Sequence, residues 1–268
     1  MKNVKLEQDG RVAIVTIDRP PVNALDAVTF NEIGEVFESF AHDRSVSAAV
    51  LTAAGERAFC AGVDLEDSPR RQRPDGRQHD GGPQGDPADQ VDTGRVVRRC
   101  FWGVYDCAVP VIAAVDAPAI GAGVALAASC DMIVVSDRAT FALREITVGV
   151  LGGVRHAQRL LGPFLSKRML LTGDAIPAAE LYRLGAAEAV VEPDAVVPTA
   201  VALAQRIAAN SPIAVRLAKE SANRVEHLSL HDGYRLEQDY TTRVNRFTDS
   251  SEARRAFLEK RAPEFGWE

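Results

Sequence analysis

The sequence predicts an α/β fold with a helical C-terminal extension, and three observations carry that prediction. Strand-like and helix-like patterns alternate from Val4 to Val191, the arrangement expected of strands joined by crossover helices. The stretch Val109–Val135 reads as strand, turn, helix and strand in one apolar run. Asp116, Pro118 and Asp131 interrupt that run, so it is protein core and not a membrane span. From Val196 onward only the helical period remains.

Taken in order, Val4–Gln8 and Arg11–Asp18 alternate as strands, and Asp9-Gly10 between them signals a type I′ hairpin turn. After the turn chemistry of Arg19–Asp26, Phe30, Ile33, Phe37 and Phe40 recur at helical spacing to about His42, with Asp26 as the N-cap. Ala48–Thr52 is a short buried strand, followed by the small-residue turn Cys60-Ala61-Gly62-Val63. Glu66–Gly94 is rich in Pro, Gly, Arg, Asp and Gln and nearly free of aliphatics, so it reads as a mobile insertion. Its arginines are solvated or, near a site, available to an anionic ligand. Arg95–Tyr105 is helical. The central stretch comes next: strand Val111–Val115, a Pro/Gly turn at Ala117–Gly121, helix Ala122–Ser129 and strand Met132–Ser136.

Arg138–Gly153 is a strand-and-loop segment. Helices follow at Val154–Leu161, Leu165–Leu171 and Ala178–Leu184, then a last strand at Ala187–Val191. Four helices complete the chain, at Val196–Ala209, Pro212–Val225, Leu230–Phe247 and Ser251–Arg261. The 268 residues suit one large domain or a domain with an appendage. The division is a core over 1–195, with its insertion near 66–94, and a helical region over 196–268.

Composition narrows the function. A net charge of −6, no basic run and few aromatics exclude a nucleic-acid surface. The N-terminal residues lack the apolar core of a signal peptide, and Cys60, Cys100, Cys107 and Cys130 show no C-x-x-C pairing. The expectation is a cytoplasmic protein with reduced thiols, no membrane partner and no bound metal. Nucleophile-elbow, P-loop, dinucleotide-binding and H-E-x-x-H motifs are absent. His227 and His231 sit four apart but lack a third ligand at diagnostic spacing, so they read as an exposed helix face. His156, after Gly152-Gly153, is either a catalytic group or a polar residue at a helix start.

Two features carry chemistry. Ala119, Gly121, Ala122 and Gly123 have little or no side chain, so a ligand can approach the backbone there. The first amides of the following helix have no partner within it and suit an oxygen that gains negative charge. The alternative is a tight crossover in which the glycines only permit packing. Glu145 lies between Phe141-Ala142-Leu143 and Ile146-Thr147-Val148. Burial there raises a carboxyl pKa toward the range of a proton shuttle, unless Arg144 or Arg155 pairs with it.

AFCAGVDL (Ala58–Leu65), PAIGAG (Pro118–Gly123) and CDMIVVSDRATFALREITVGV (Cys130–Val150), in that order, resemble the enoyl-CoA hydratase/isomerase, or crotonase, superfamily. The resemblance runs from about Val12 to Arg261. It implies a spiral of ββα units with a C-terminal helical trimerisation region, assembled as a trimer or as a hexamer of two trimers. It implies an acyl-CoA substrate, with coenzyme A present only as part of the thioester and no tightly bound cofactor. By motif, the amides of Val63 and Ala122 form the oxyanion hole. Ala24, Ala61, Asp64 and Leu65 contact the coenzyme, as do Phe257 and Lys260 from the C-terminal helix.

The hydratases of this family use two glutamates. One aligns with Glu145, whereas Ala125 stands where the other is expected. An alanine cannot activate water. The sequence therefore leaves several reactions open: hydration through Glu145 alone or with Glu66 or Asp67, double-bond isomerisation, and thioester hydrolysis or C–C cleavage. A non-catalytic acyl-CoA binder is the reading from another class.

Overall fold

The computed structural model describes residues 1–64, 92 and 94–267. Leu65, Glu66 and Asp67 lie outside the described residues, as does the segment read as a mobile insertion apart from Asp92 and Gly94.

The main sheet has six strands in the order β1-β2-β3-β4-β6-β9. They are β1 (Val4–Asp9), β2 (Val12–Ile17), β3 (Ala48–Ala53), β4 (Val111–Val115), β6 (Met132–Ser136) and β9 (Ala189–Val191). Only β1 and β2 pair antiparallel; every later neighbour is parallel. Asp9 pairs with Val12, so the hairpin turn is Gly10-Arg11. Gly10 has φ 58° and Arg11 has no positive φ. A type I′ turn needs positive φ at both central residues, so the expected turn type is corrected to one in which glycine alone takes that role.

Strands β3 and β4 are buried on both faces, which explains why their sequences are unbroken apolar runs. Ala49, Leu51, Val111, Ala113 and Val115 face the larger core. Val50, Ile112 and Ala114 face a second, smaller one. The larger core is closed by α1 (Ala27–Ser39), α2 (Arg95–Tyr105), α3 (Ala122–Ser129) and α4 (Val154–Thr172). Helix α1 starts where the sequence places it, with the Asp26 carboxylate accepting from the Thr29 N–H at 2.8 Å. The smaller core is closed by α6 (Val196–Ala208), through Val196, Ala200 and Ala204.

A second sheet holds three short strands in the order β5-β7-β8: β5 (Ala119–Ile120), β7 (Thr140–Ala142) and β8 (Ile176–Pro177). Its pairs are two residues long, too short to leave a period in the sequence. The segment read as a plain turn, Ala117–Gly121, thus contains a strand. The two predicted helices after Gly153 form one element, α4, broken at Gly162 (φ 65°, ψ 178°) before Pro163. Helix α5 (Ala178–Arg183) leads to β9. Three helices complete the chain: α7 (Pro212–Val225), α8 (Leu230–Val244) and α9 (Thr248–Glu259). No helix among the described residues is long and apolar enough to cross a membrane.

Candidate active site

Four segments converge where the two sheets meet. The first is the turn Cys60–Val63 beyond β3, held on both sides. The Leu25 N–H donates to Gly62 O (2.8 Å) and the Asp64 N–H to Leu25 O (2.9 Å), while the Ile120 N–H donates to Cys60 O (2.8 Å). These bonds leave the Val63 N–H without an acceptor among the described residues, and the Val63 side chain is 44% exposed.

The second segment is the start of α3. Its N-cap, Gly121, adopts φ 55° and ψ −109°, conformations closed to residues with a Cβ. A Cβ on Gly123 would lie 2.5 Å from Cys60 O. Glycine therefore lets the helix start press directly against the Cys60–Val63 turn. The Ala125 N–H closes the first helical bond to Gly121 O (3.1 Å), and the Ala122 N–H has no acceptor among the described residues. The amides of Val63 and Ala122, each without an acceptor among the described residues, thus lie on turns in contact with each other.

Glu145 provides the third segment. It opens a short 3-10 turn, Glu145–Val148, which follows β7 after Leu143 and Arg144. Its carboxylate lies on the Cα of Gly121, where a Cβ would collide with Oε1. The Oε2 atom is buried and has no hydrogen-bond partner among the described residues. Burial pushes the Glu145 carboxyl above its ordinary value, against a smaller lowering by its own backbone N–H. Neither arginine considered from sequence pairs with it among the described residues; Arg155 Nη2 instead meets His227 Nε2 at 2.8 Å. The fourth segment, Gly152-Gly153, enters α4. A Cβ on Gly152 would stand 3.6 Å from Glu145 Oε1, and one on Gly153 would stand 3.6 Å from Gly121 O.

Ala125 is buried within α3 and offers no acid or base. Cys60 touches the site, but burial pushes its thiol up to about 12, so it is a neutral packing group and not a nucleophile. A buried carboxyl with a raised pKa, set beside unbonded amides at a helix N-terminus, can hold an oxyanion and move a proton next to it.

This chain matches the family described as Enoyl-CoA hydratase/isomerase over residues 7–268. The chain belongs to the enoyl-CoA hydratase/isomerase family. Among its relatives is a carnitinyl-CoA dehydratase of Proteus mirabilis, 37% identical over 271 residues and covering 98% of each chain. Another is the (7aS)-7a-methyl-1,5-dioxo-2,3,5,6,7,7a-hexahydro-1H-indene-carboxyl-CoA hydrolase of Mycobacterium tuberculosis. It is 34% identical over 249 residues, with 93% of this chain and 95% of that one covered. The crystal structure of an enoyl-CoA hydratase from Bacillus anthracis superposes with a TM-score of 0.87. That match has 28% identity and covers 99% of this chain and 100% of the other.

The residues expected from this family to hold the coenzyme fall in two places. Ala24, Ala61 and Asp64 adjoin the Val63 turn. Ala24 O accepts from Arg19 Nη1 (2.8 Å), and Arg19 Nη2 donates to the Asp64 carboxylate (2.6 Å) while Nε donates to Asp26 (3.1 Å). The sequence reading did not include Arg19, whose guanidinium ties this wall together. Phe257 and Lys260 lie far along the chain, on α9 and its C-cap. Phe257 is 82% exposed.

Proposed function

We propose that this protein acts in the cytoplasm on an acyl-CoA thioester, through an enolate held by two amides and protonated by one carboxylate. The Val63 and Ala122 N–H groups bind the thioester oxygen, and Glu145 takes a proton from the carbon beside the carbonyl. Negative charge moves to that oxygen as the proton leaves. An amide already aimed at it contributes ~3 kcal/mol to the transition state. Ala24, Ala61, Asp64 and Leu65 hold the coenzyme portion, with Phe257 and Lys260 from α9, and the subunits assemble as a trimer or a hexamer. No further cofactor is required.

The observation that carries this reading is the buried Oε2 of Glu145, without a partner among the described residues, against the N-cap of a helix whose first amide has no acceptor among them. With Ala125 in place of a second acid, the reaction complete with these groups is double-bond isomerisation. Glu145 removes a proton from one carbon and returns it to another, and nothing else is consumed. Incubation with panels of 2-enoyl- and 3-enoyl-CoA esters tests this. Interconversion that disappears in Glu145→Gln supports the assignment, and turnover untouched by that substitution refutes it.

A second reading is hydrolysis of the thioester or cleavage of a C–C bond in a bulky acyl group. It is favoured by the hydrolase relative and by the small Ala125 beside the site. Release of free coenzyme A, followed with a thiol reagent, separates it from isomerisation.

A further inference from the structure

An amide stabilises a growing charge only when it is aimed before the charge appears. The Val63 N–H sits in a stretch whose two sides lean on one residue, Leu25. The Leu25 N–H donates to Gly62 O (2.8 Å) and Leu25 O accepts from the Asp64 N–H (2.9 Å), so Leu25 and Val63 form a parallel bridge. One step earlier, the Ala61 N–H donates to Val22 O (3.1 Å). Leu25 is fully buried, yet it lies in the connection between β2 and α1 and, among the described residues, is part of neither sheet. Contacts outside the sheets must therefore fix its place.

Arg19 supplies them. Its backbone closes the connection on itself: the Asn23 N–H donates to Arg19 O (2.9 Å), and the Arg19 N–H donates to Asn23 Oδ1 (3.0 Å). Its guanidinium then meets three partners through three nitrogens. Nη1 donates to Ala24 O (2.8 Å), on the residue before Leu25, and Nε donates to the Asp26 carboxylate (3.1 Å), on the residue after it. Nη2 donates to the carboxylate of Asp64 (2.6 Å), the residue after Val63. Asp26 is itself anchored, since its other oxygen accepts from the N–H and the hydroxyl of Thr29 in α1. One planar group thus brackets Leu25 and joins it to the far side of the Val63 turn. All three charged side chains are mostly withdrawn from solvent, where charge-assisted bonds are strong and little screened.

We infer that Arg19 is a positioning residue of this site, which sets the aim of the Val63 amide through Leu25 and Asp64. This rests on the reading of Val63 as an oxyanion donor. Each guanidinium nitrogen has a partner in the protein, so the group works through the backbone and not on the substrate. The role calls for arginine: three acceptors are met by a rigid fork, which the single nitrogen of a lysine on its flexible stem does not reproduce. A guanidinium that only stiffened the coenzyme wall would act on binding. One that aims the amide acts on the thioester carbonyl and on the rate.

The test uses butyryl-CoA labelled with ¹³C at the thioester carbonyl. Its carbonyl stretch when fully bound, read by infrared difference spectroscopy, and its α-proton exchange in D₂O are measured. The proteins are the full-length wild type and its Arg19→Gln, Arg19→Lys and Asp64→Ala variants. The wild type is expected to lower the stretch relative to the ester in water, because two amide donors weaken the C=O bond. Arg19→Gln and Arg19→Lys give back at least half of that shift. They lower kcat for exchange by about 10- to 10²-fold, the scale of a displaced donor, with KM within about threefold of wild type. Asp64→Ala breaks only the bond across to the turn and moves both readouts the same way by a smaller step. A folded Arg19 variant with the wild-type stretch and rate overturns the inference, as does one in which KM rises and kcat holds. If neither Arg19 variant keeps the wild-type unfolding midpoint, an unchanged stretch and rate in Asp64→Ala overturns it. A wild type that binds the ester without lowering its stretch contradicts the reading of the two amides, and the inference falls with it.

Discussion

Glu145 and Glu252 are both carboxylates largely withdrawn from solvent, and the chain treats them in opposite ways. Glu252, on α9, accepts from Arg261 Nη1 (2.6 Å), Arg255 Nη2 (2.5 Å) and the Glu264 N–H (3.0 Å). Those donors, Arg261 first, hold its carboxyl far below the usual range. Glu145 has a buried oxygen with no donor among the described residues and a carboxyl pushed upward by burial. One carboxylate is satisfied and fastens the C-terminal tail; the other is left unsatisfied beside two unbonded amides. Folding alone favours the first arrangement, because a buried polar atom without a partner costs stability. The unsatisfied one is a cost that chemistry explains.

That contrast can be broken by swapping each acid for its amide. The largest effect is expected at the site: Glu145→Gln lowers kcat by about 10²- to 10⁴-fold on the best acyl-CoA substrate. Glu252→Gln should leave kcat within about threefold. Equal losses in steady-state kinetics would erase the distinction.

Gly123→Ala comes next. Its Cβ would lie 2.5 Å from Cys60 O, so α3 and the Cys60–Val63 turn must part. The expected result is loss of kcat by about 10²-fold, the scale of one misaligned oxyanion donor, together with a lower melting temperature.

Stability sharpens the contrast with opposite signs. The native state binds the Glu145 proton more tightly than the unfolded chain does. The cost of its charge is therefore present above its raised native pKa and fades as pH falls through that value. Glu145→Gln should then raise the neutral-pH melting temperature by about 1–3 °C. Glu252 has the opposite sign: its contribution is complete above the ordinary carboxylate range and is lost as pH falls toward its lowered native value. Glu252→Gln lowers the melting temperature at neutral pH and narrows the gap from wild type in acid, as calorimetry across pH would show. The smallest effect is expected at Lys260→Ala, a rise of about two- to fivefold in KM with kcat unchanged, since an exposed point charge on a phosphate contributes little.

Much of this molecule was legible in its sequence where burial or capping leaves a pattern. The runs of β3 and β4 read as strands because both faces are covered, and Asp26 and the period of Phe30, Ile33 and Phe37 placed α1. The short pairs of β5 and β8 were not legible, since two residues carry no periodicity. Glu145 stood out as a charge among apolar neighbours. The contacts that define its site did not, because they join residues far apart: Gly121 to Glu145, Gly123 to Cys60, Arg19 to Asp64. Of the pair Gly152-Gly153, which the sequence shows only as a turn before His156, just Gly153 needs to be glycine for its backbone.

The most direct test of the central claim is exchange of the α-protons of butyryl-CoA in D₂O, followed by proton NMR. This saturated ester needs only the two amides and one carboxylate to lose a proton. The wild type is expected to exchange those protons, and Glu145→Gln to do so about 10²-fold more slowly or less while still binding the ester. Equal exchange by the two proteins, or none by a wild type that binds the ester, would contradict the account.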